Sequence, residues 1–202
     1  MNDKKQQLYQ SAKAMFSERG FKDTNISAIT KAANMAVGTF YLYYSSKEQL
    51  FMEIFKDENT RLKRELLDKL DLNESPKAII LRMLQINQEG IQTNPILREW
   101  YTSDEFRKIE QAYREAHAID SLNFLYDTFL SLVERWQAEG KMRSDIDSKM
   151  IMKVFEAVIN VDTHKDELGM EYFPRLLDIM TDLILKGLTE CSACRQRFFH
   201  RQ

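Results

Sequence analysis

The residues best suited to contact another molecule lie close together in the sequence. They are a glycine, a threonine, two tyrosines and a lysine at short spacing. Gly38 has no Cβ, so the backbone there can approach another molecule closely. Thr39 offers a hydroxyl for a phosphate or a base edge and a methyl group for thymine. Tyr41 and Tyr43 end in hydroxyls that can reach phosphates, and Lys47 adds a positive charge nearby. These residue types in this order favour contact with nucleic acid.

Enzyme chemistry and metal binding are not indicated by the motifs of this sequence. It contains no G-x-S-x-G pattern, no phosphate-cradling glycine loop and no H-E-x-x-H pattern. His117, His164 and His200 form no pair four residues apart, the spacing of helical metal ligands. Cys191 and Cys194 are the only cysteines, and zinc would need further ligands from another chain, so we interpret them as thiols of a frayed tail. We expect no catalytic residue, no metal and no cofactor.

Three helices, two of them very short, are predicted to position the glycine and the tyrosines. Apolar residues at helical spacing run over 4–19, and Gly20 suits the position just after a helix end. Thr24 can cap a second helix, and a third is expected at about 36–43, after a tight turn at 33–35. Two short helices joined by a tight turn and completed by a third predict a helix-turn-helix, whose second helix lies in the major groove.

The rest of the chain is predicted to consist of longer amphipathic helices. Ser46 with Gln49 forms a capping-box pattern that opens a long fourth helix over 47–70. No segment alternates with period two long enough to indicate a strand, so the fold class is all-α. Further helices are expected from Ser75-Pro76 to Gln92, from Asn94-Pro95, over 103–139 with a bend near 116–120, from Asp145 or Asp147 to about Asp162, and over 171–189.

The contrast in helix length predicts two domains and a tail. Residues 1–46 form the helix-turn-helix domain, the long fourth helix joins it to a helical effector-binding and dimerisation domain over 47–190, and residues 191–202 form a basic flexible tail. Residues 1–50 hold seven basic and four acidic side chains, so they carry +3 and leave −5 for the remainder of a chain of net charge −2. A positively charged N-terminal region followed by a negatively charged remainder suggests that an anionic partner binds the N-terminal region.

Composition excludes several other classes of protein. With 44% hydrophobic and 30% charged residues the chain is typical of globular domains, and six glycines and three prolines are few for a turn-rich β fold. The longest stretch without an acidic or basic residue, over 32–46, is too short and too polar to span a membrane. The first ten residues lack the apolar run of a signal peptide. We expect a cytoplasmic protein with no membrane partner.

The segment around Gly38 resembles the DNA-binding signature of TetR-type transcriptional regulators over about residues 8–55. Thr30, Asn34 and Ala36 depart from that signature, where alanine, glycine and serine are usual, and losing the serine hydroxyl puts one phosphate contact in doubt. The residues that match the signature are Thr24, Ala33, Gly38, Thr39, Tyr41, Tyr43, Ser46, Lys47, Glu48 and Leu50.

This resemblance implies a homodimeric repressor that a small ligand releases from a double-stranded, palindromic DNA operator. Phosphate contacts are implied for Thr24, Tyr41, Tyr43 and Lys47, and base-edge contacts for Ser27, Val37, Gly38 and Thr39. The segment VGTFYLY holds no arginine or lysine, so bidentate reading of guanine from it is excluded. Thymine methyl groups, Lys31 and DNA shape must then supply more of the specificity.

The acidic remainder offers candidate ligand-binding residues with an apolar or aromatic character. A stripe of methionine and aromatic side chains at helical spacing more often belongs to the ordinary core of a protein. Only the resemblance to the regulator family favours a ligand pocket over such a core. Glu156 and Asn160 could fix a polar head group, although a solvated face or a dimer seam suits them better. The candidates are Met83, Trp100, Tyr101, Phe106, Tyr113, His117, Phe124, Met152, Phe155, Glu156 and Asn160.

The last two helices carry broad apolar faces that suit a symmetric dimer. The predicted interface residues are Ile151, Val158, Ile159, Leu176, Leu177, Met180, Leu183 and Ile184. An alternative function is a helical small-molecule-binding or protein-interaction module that has lost sequence-specific DNA reading.

Overall fold

The computed structural model describes residues 3–102, Phe106, 123–161 and 171–189, and all regular structure within these ranges is helical. This confirms the all-α prediction. The helices are α1 (Asp3–Arg19), α2 (Ile26–Ala32), α3 (Val37–Phe40), α4 (Lys47–Asp68), α5 (Pro76–Thr93), α6 (Pro95–Thr102), α7 (Asn123–Ala138), α8 (Ser148–Val161) and α9 (Phe173–Thr189).

Local capping explains where the N-terminal helices begin and end. Gly20 adopts a φ of +80° directly after α1, a left-handed conformation that glycine tolerates without strain. The cap of α2 is Asn25 rather than the predicted Thr24, because the Asn25 side chain accepts the N–H of Ala28 at 2.8 Å. Ser46 caps α4 as predicted and accepts the N–H of Gln49 at 3.2 Å.

Several predicted boundaries need correction. The third helix ends at Phe40 instead of continuing to about residue 43, because residues 41–43 form a turn. Of the two candidate caps for α8, Asp147 accepts the N–H of Lys149 at 3.0 Å. The final helix begins at Phe173 rather than Glu171. The bend predicted near 116–120 lies outside the described residues.

The chain divides into two compact units, residues 1–69 with 84–122 and residues 70–83 with 123–202. This division follows backbone contacts, so the functional domain boundaries inferred from the sequence stay a prediction. In the second unit, Trp136, Met142 and Ile151 are buried, and Arg143 donates its backbone N–H to the carbonyl of Leu188 at 2.8 Å. None of the helices within the described ranges is long and apolar enough to cross a bilayer.

An aromatic cluster forms the core of the first unit. Phe51 of α4 is fully buried, and its ring centroid lies 5.2 Å from those of Phe16 and Phe21 and 4.4 Å from that of Phe106. Edge-to-face and stacked ring pairs at such distances add to the stabilisation that burial itself provides. The short helices α2 and α3 are therefore fixed on a core that α1, α4 and α6 supply.

A buried carboxylate ties α1 to α4 and α6. Glu58 accepts a charged hydrogen bond from Lys13, one from Arg61 at 2.7 Å and one from Asn94 at 2.6 Å. Burial alone would raise the pKa of Glu58, but these donors outweigh it and lower the pKa below its ordinary value. The carboxylate is thus charged and compensated at neutral pH.

Glu58 should make the free energy of unfolding depend on pH. A carboxylate whose folded pKa is depressed stabilises the protein above its unfolded pKa of about 4.3, and this stabilisation is lost as the pH falls through the folded pKa. We expect Glu58→Gln to lower the free energy of unfolding by about 2 kcal/mol at pH 7. Urea denaturation should show that the difference shrinks by pH 3. An equal difference at both pH values would contradict the ion-pair network.

Candidate nucleic-acid interface

The turn between α2 and α3 sets Ser27 and Lys31 of α2 beside Val37 of α3. Asn34 adopts a φ of +54°, which asparagine tolerates better than most residues, and its N–H bonds to the carbonyl of Lys31 at 3.0 Å. Met35 donates to the carbonyl of Thr30 at 2.8 Å, so α2 ends and α3 can start in a new direction. Asn34 therefore replaces glycine in this turn.

The inner side of the two short helices is apolar and fully packed. Ile29 of α2 and Phe40 of α3 have no exposed surface, and Tyr44 behind them is buried. The Tyr44 hydroxyl donates to a carboxylate oxygen of Glu53 at 3.4 Å, and burial, reinforced by that carboxylate, raises the pKa of the phenol. This packing fixes which side of α3 faces outward.

The outward side of α3 and of the turn after it carries large, uncharged and mostly apolar side chains. Val37, Tyr41 and Leu42 are 43%, 57% and 77% exposed, unusual values for side chains of this size. A Cβ built on Gly38 meets no atom within 4 Å, so the glycine is not required by packing inside the chain. An exposed apolar surface beside an open glycine can enter a groove whose walls carry thymine methyl groups.

Leu42 was missed by the sequence reasoning, although a signal for it was present. It directly follows Tyr41 in the segment VGTFYLY, and it is the most exposed large apolar side chain in the described part of the chain. Its position beside the glycine and the tyrosines could have suggested a base contact through a thymine methyl group.

Ser27 and Lys31 of α2 lie beside α3 and complete this surface. Both side chains are exposed, and with Val37 they line a shallow depression between the two helices. Thr39 is half-buried on α3. Tyr43 is also half-buried and packs against the core of the first unit. The structure thus brings together most of the residues that the resemblance implicates in DNA contact.

Thr24 does not fit the predicted role. Its side chain is fully buried, and its hydroxyl donates to the carbonyl of Gly20 at 2.7 Å. The direct phosphate contact predicted for its side chain is therefore wrong for this conformation. The hydroxyl instead stabilises the turn after α1.

Lys47 has a structural role that sequence spacing did not indicate. Its ammonium donates to the carbonyls of Phe21 and Thr24 at 2.7 and 2.8 Å and lies 3.9 Å from the centroid of the Phe21 ring. An ammonium has three N–H donors, so one remains for a phosphate. A substitution of Lys47 would disturb the α1–α2 turn as well as any DNA contact.

The predicted ligand-binding residues are divided between the two units of the chain. Trp100 and Phe106 are core residues of the first unit, with Trp100 stacked on Phe55 at 4.3 Å, which agrees with the interpretation of the aromatic stripe as ordinary core. Tyr101 packs against the same core. Glu156 is exposed and forms an ion pair with Lys153 at 2.5 Å. This agrees with the interpretation that Glu156 lies on a solvated face or at a dimer interface.

The remaining pocket candidates stay a prediction. Met83, Phe124, Met152 and Phe155 belong to the second unit and are half-buried. Tyr113, His117 and the side chain of Asn160 lie outside the described residues, as do His164, His200, Cys191 and Cys194. No group of three potential metal ligands occurs among the residues that the structure describes.

The predicted dimer residues fall into two groups. Ile151 is fully buried within its own unit, so its prediction as a subunit contact is wrong. Leu183 is 63% exposed on α9 and is available to a partner. The side chain of Ile159 lies outside the described residues, and the others are half-buried, namely Val158, Leu176, Leu177, Met180 and Ile184.

Comparison with known protein families finds a match for the N-terminal region of the chain. Residues 8–54 match the family model described as bacterial regulatory proteins, tetR family. The chain is 37% identical over 62 residues to the uncharacterized HTH-type transcriptional regulator YdgC of Bacillus subtilis, covering 31% of this chain and 32% of that protein. It is 36% identical over 69 residues to YhgD of the same organism, covering 34% of each chain. The chain thus matches about a third of the length of these curated relatives.

Solved structures resemble the chain over most of its length. The fatty acid degradation regulator FadR from Bacillus halodurans superposes with a TM-score of 0.60 at 19% identity, covering 93% of this chain and 97% of that one. The TetR family protein CprB from S. coelicolor A3(2) gives 0.56 at 18% identity, covering 98% and 94%. At these identities the likeness shows a shared fold.

Proposed function

We propose that this chain, whose residues 8–54 match the tetR family of bacterial regulatory proteins, is a TetR-type transcriptional regulator and not an enzyme, and that it acts as a homodimeric repressor of a palindromic DNA operator. The observation that carries the proposal is the outward surface of α3 and of the turn after it, where Gly38 has open space around it and Tyr41 and Leu42 are exposed. Packing among the described residues of the first unit does not require this surface, and DNA would give it a function.

The chemistry of the surface suggests how DNA is bound. Hydroxyls of Tyr41 and Tyr43 would contact phosphates on either side of the groove, and the unused N–H of Lys47 would add a charged contact. Gly38, Thr39 and Leu42 would meet base edges, with thymine methyl groups as the apolar partners. Ser27 and Lys31 on α2 would extend the contacts to the neighbouring backbone or bases.

Homodimerisation is supported by the apolar surface of α9. Ile179 and Leu183, four residues apart, are both exposed, and Leu176 and Met180 are half-buried beside them on the same helix. A symmetric dimer would cover this stripe with its own copy. It would also present two α3 helices to half-sites about 34 Å apart, one turn of DNA.

An apolar or aromatic small molecule is proposed to release the operator. It would bind the helical domain and favour a dimer in which the two α3 helices no longer match adjacent half-sites, so the operator-binding state loses population. The half-buried side chains of Met83, Phe124, Met152 and Phe155 are the candidates to meet its apolar part.

The proposal predicts operator binding that depends steeply on salt. The operator would be selected from random-sequence duplexes, and the dimer would be confirmed by light scattering on the free protein. If four phosphates are neutralised, affinity should fall about 100-fold between 50 and 200 mM salt, because bound counterions are released. A nearly flat salt dependence, or no selected sequence, would support the alternative of a binding module without DNA reading.

Tyr41→Phe is the cleanest variant for this experiment. It keeps the ring, which contacts Phe40 at 5.4 Å, and removes only the hydroxyl. We expect about a tenfold loss of operator affinity with an unchanged melting temperature. Tyr126→Phe, at another exposed tyrosine, is the matched control and should bind as the wild type does.

A further inference from the structure

A lysine and an asparagine on α4 have polar atoms that the DNA-binding surface does not use. Asn59 and Lys63 are four residues apart, so they lie on one face of the helix. The ammonium of Lys63 donates to the side-chain oxygen of Asn87 on α5. Gly90, one turn further along α5, permits this close approach, because a Cβ there would lie 2.2 Å from a methyl carbon of Leu62.

Lys63 is half-buried and has no carboxylate partner among the described residues. Lys5, Lys13 and Lys77 pair with Glu53, Glu58 and Asp182, respectively. Lys63 has only the neutral amide of Asn87 within the described ranges, and burial lowers its pKa to about 8. The amine is still about nine-tenths protonated at pH 7. A half-buried positive charge without a counter-ion is unfavourable unless an anion joins it.

Asn59 adds an independent observation. Its side-chain oxygen is buried and has no hydrogen-bond partner. Native proteins rarely leave a buried acceptor unpaired, so a missing donor is indicated at this point. A ligand that supplies both an anion to Lys63 and an O–H or N–H to Asn59 would satisfy the two side chains together.

We propose that Asn59, Lys63 and Asn87 form a binding site for a small organic carboxylate that carries a hydroxyl next to its acid group. The carboxylate accepts from Lys63, the hydroxyl donates to Asn59, and the apolar remainder extends away from them. All three residues belong to the first unit, so the inference does not depend on the proposed function and holds whether or not this molecule releases an operator.

Mandelate is a suitable probe, because it combines an aromatic ring, a carboxylate and an adjacent hydroxyl. Mandelamide has the same shape without the charge, and phenylacetate lacks the hydroxyl. By calorimetry on the full chain, we expect mandelamide to bind at least about tenfold more weakly than mandelate, and phenylacetate several-fold more weakly. Equal affinity of mandelate and mandelamide would overturn the proposal. So would the failure of all three carboxylates, namely mandelate, phenylacetate and the aliphatic acid octanoate, to bind at all.

Variants of the two side chains assign the site. Lys63→Met should weaken mandelate binding at least about tenfold, and Asn59→Leu should remove the advantage of mandelate over phenylacetate. Lys69→Met removes the same charge from an exposed position at the end of α4 and is the matched control. Lys63→Gln serves if the methionine variant fails to fold, and unchanged binding in both would refute the site.

Proton uptake gives a readout that a structural lysine would not show. Asn87, the partner on α5, does not titrate, so binding an anion at pH 8 should draw about half a proton onto Lys63. The binding enthalpy should therefore vary with the buffer for the wild type and not for Lys63→Met. A chain that binds mandelate in this way but selects no operator would refute the proposed function and leave the site intact.

Discussion

Gly38→Ala is expected to abolish tight operator binding while leaving the fold unchanged. A Cβ at this position meets nothing within 4 Å in the free protein, and the glycine does not adopt a positive φ. Alanine is better in a helix than glycine by about 1 kcal/mol, so the melting temperature should stay the same or rise slightly.

The loss of binding should come entirely from the complex. The added methyl group stands on the surface that we propose enters the major groove, so it would push α3 away from the base edges. If each of the two half-sites loses about 1–2 kcal/mol of binding free energy, the operator complex becomes roughly 100-fold weaker. Titration of labelled operator at fixed salt measures this loss directly.

Gly187→Ala is the matched control for the fold. Gly187 on α9 is the other helical glycine whose built Cβ meets no atom within 4 Å in the described structure. Both variants should keep the circular dichroism spectrum of the wild type. Wild-type affinity in Gly38→Ala would mean that α3 does not approach DNA at this residue.

Phe51→Ala should cause the largest loss of stability among simple core substitutions. The ring has no exposed surface and lies within 5.2 Å, centroid to centroid, of Phe16, Phe21 and Phe106. Truncation removes buried apolar area and leaves a cavity, so we expect the free energy of unfolding to fall by about 3–5 kcal/mol. Urea denaturation followed by circular dichroism provides the measurement.

Two further variants bracket this effect. Phe51→Leu retains most of the volume and should cost about 1–2 kcal/mol. Tyr172→Ala removes an aromatic ring that is 64% exposed and should change stability by less than about 0.5 kcal/mol in the isolated chain. Equal losses for Phe51→Ala and Tyr172→Ala would show that the cluster does not hold α1, α4 and α6 together.

Much of the helical framework could be predicted because its signals are local. Gly20, the pair Ser46 and Gln49, and the prolines at 76 and 95 each mark a helix end within a few residues of themselves. The cap at Asn25 was misassigned to its neighbour because threonine and asparagine can both accept a backbone N–H, and only the backbone path decides which does.

The candidate site was predicted only in part, for a physical reason. Residue type shows that Thr24 and Lys47 can bind phosphate, but it does not show what lies nearest to them. In the fold, the Thr24 hydroxyl is used by the carbonyl of Gly20, and two N–H groups of Lys47 are used by carbonyls near the α1–α2 turn. Leu42 became a candidate only when its exposure was known.

The sequence by itself determined the fold class, the helix-turn-helix around Gly38 and the resemblance to a family of regulators, because these depend on short-range spacing and residue type. The tertiary structure decided which apolar faces are covered. Helical periodicity shows that Trp100, Phe106 and Ile151 lie on apolar faces, but not which neighbour buries each of them. Only folding placed the two aromatic residues in the core of the first unit, buried Ile151 in the second and left Leu183 exposed.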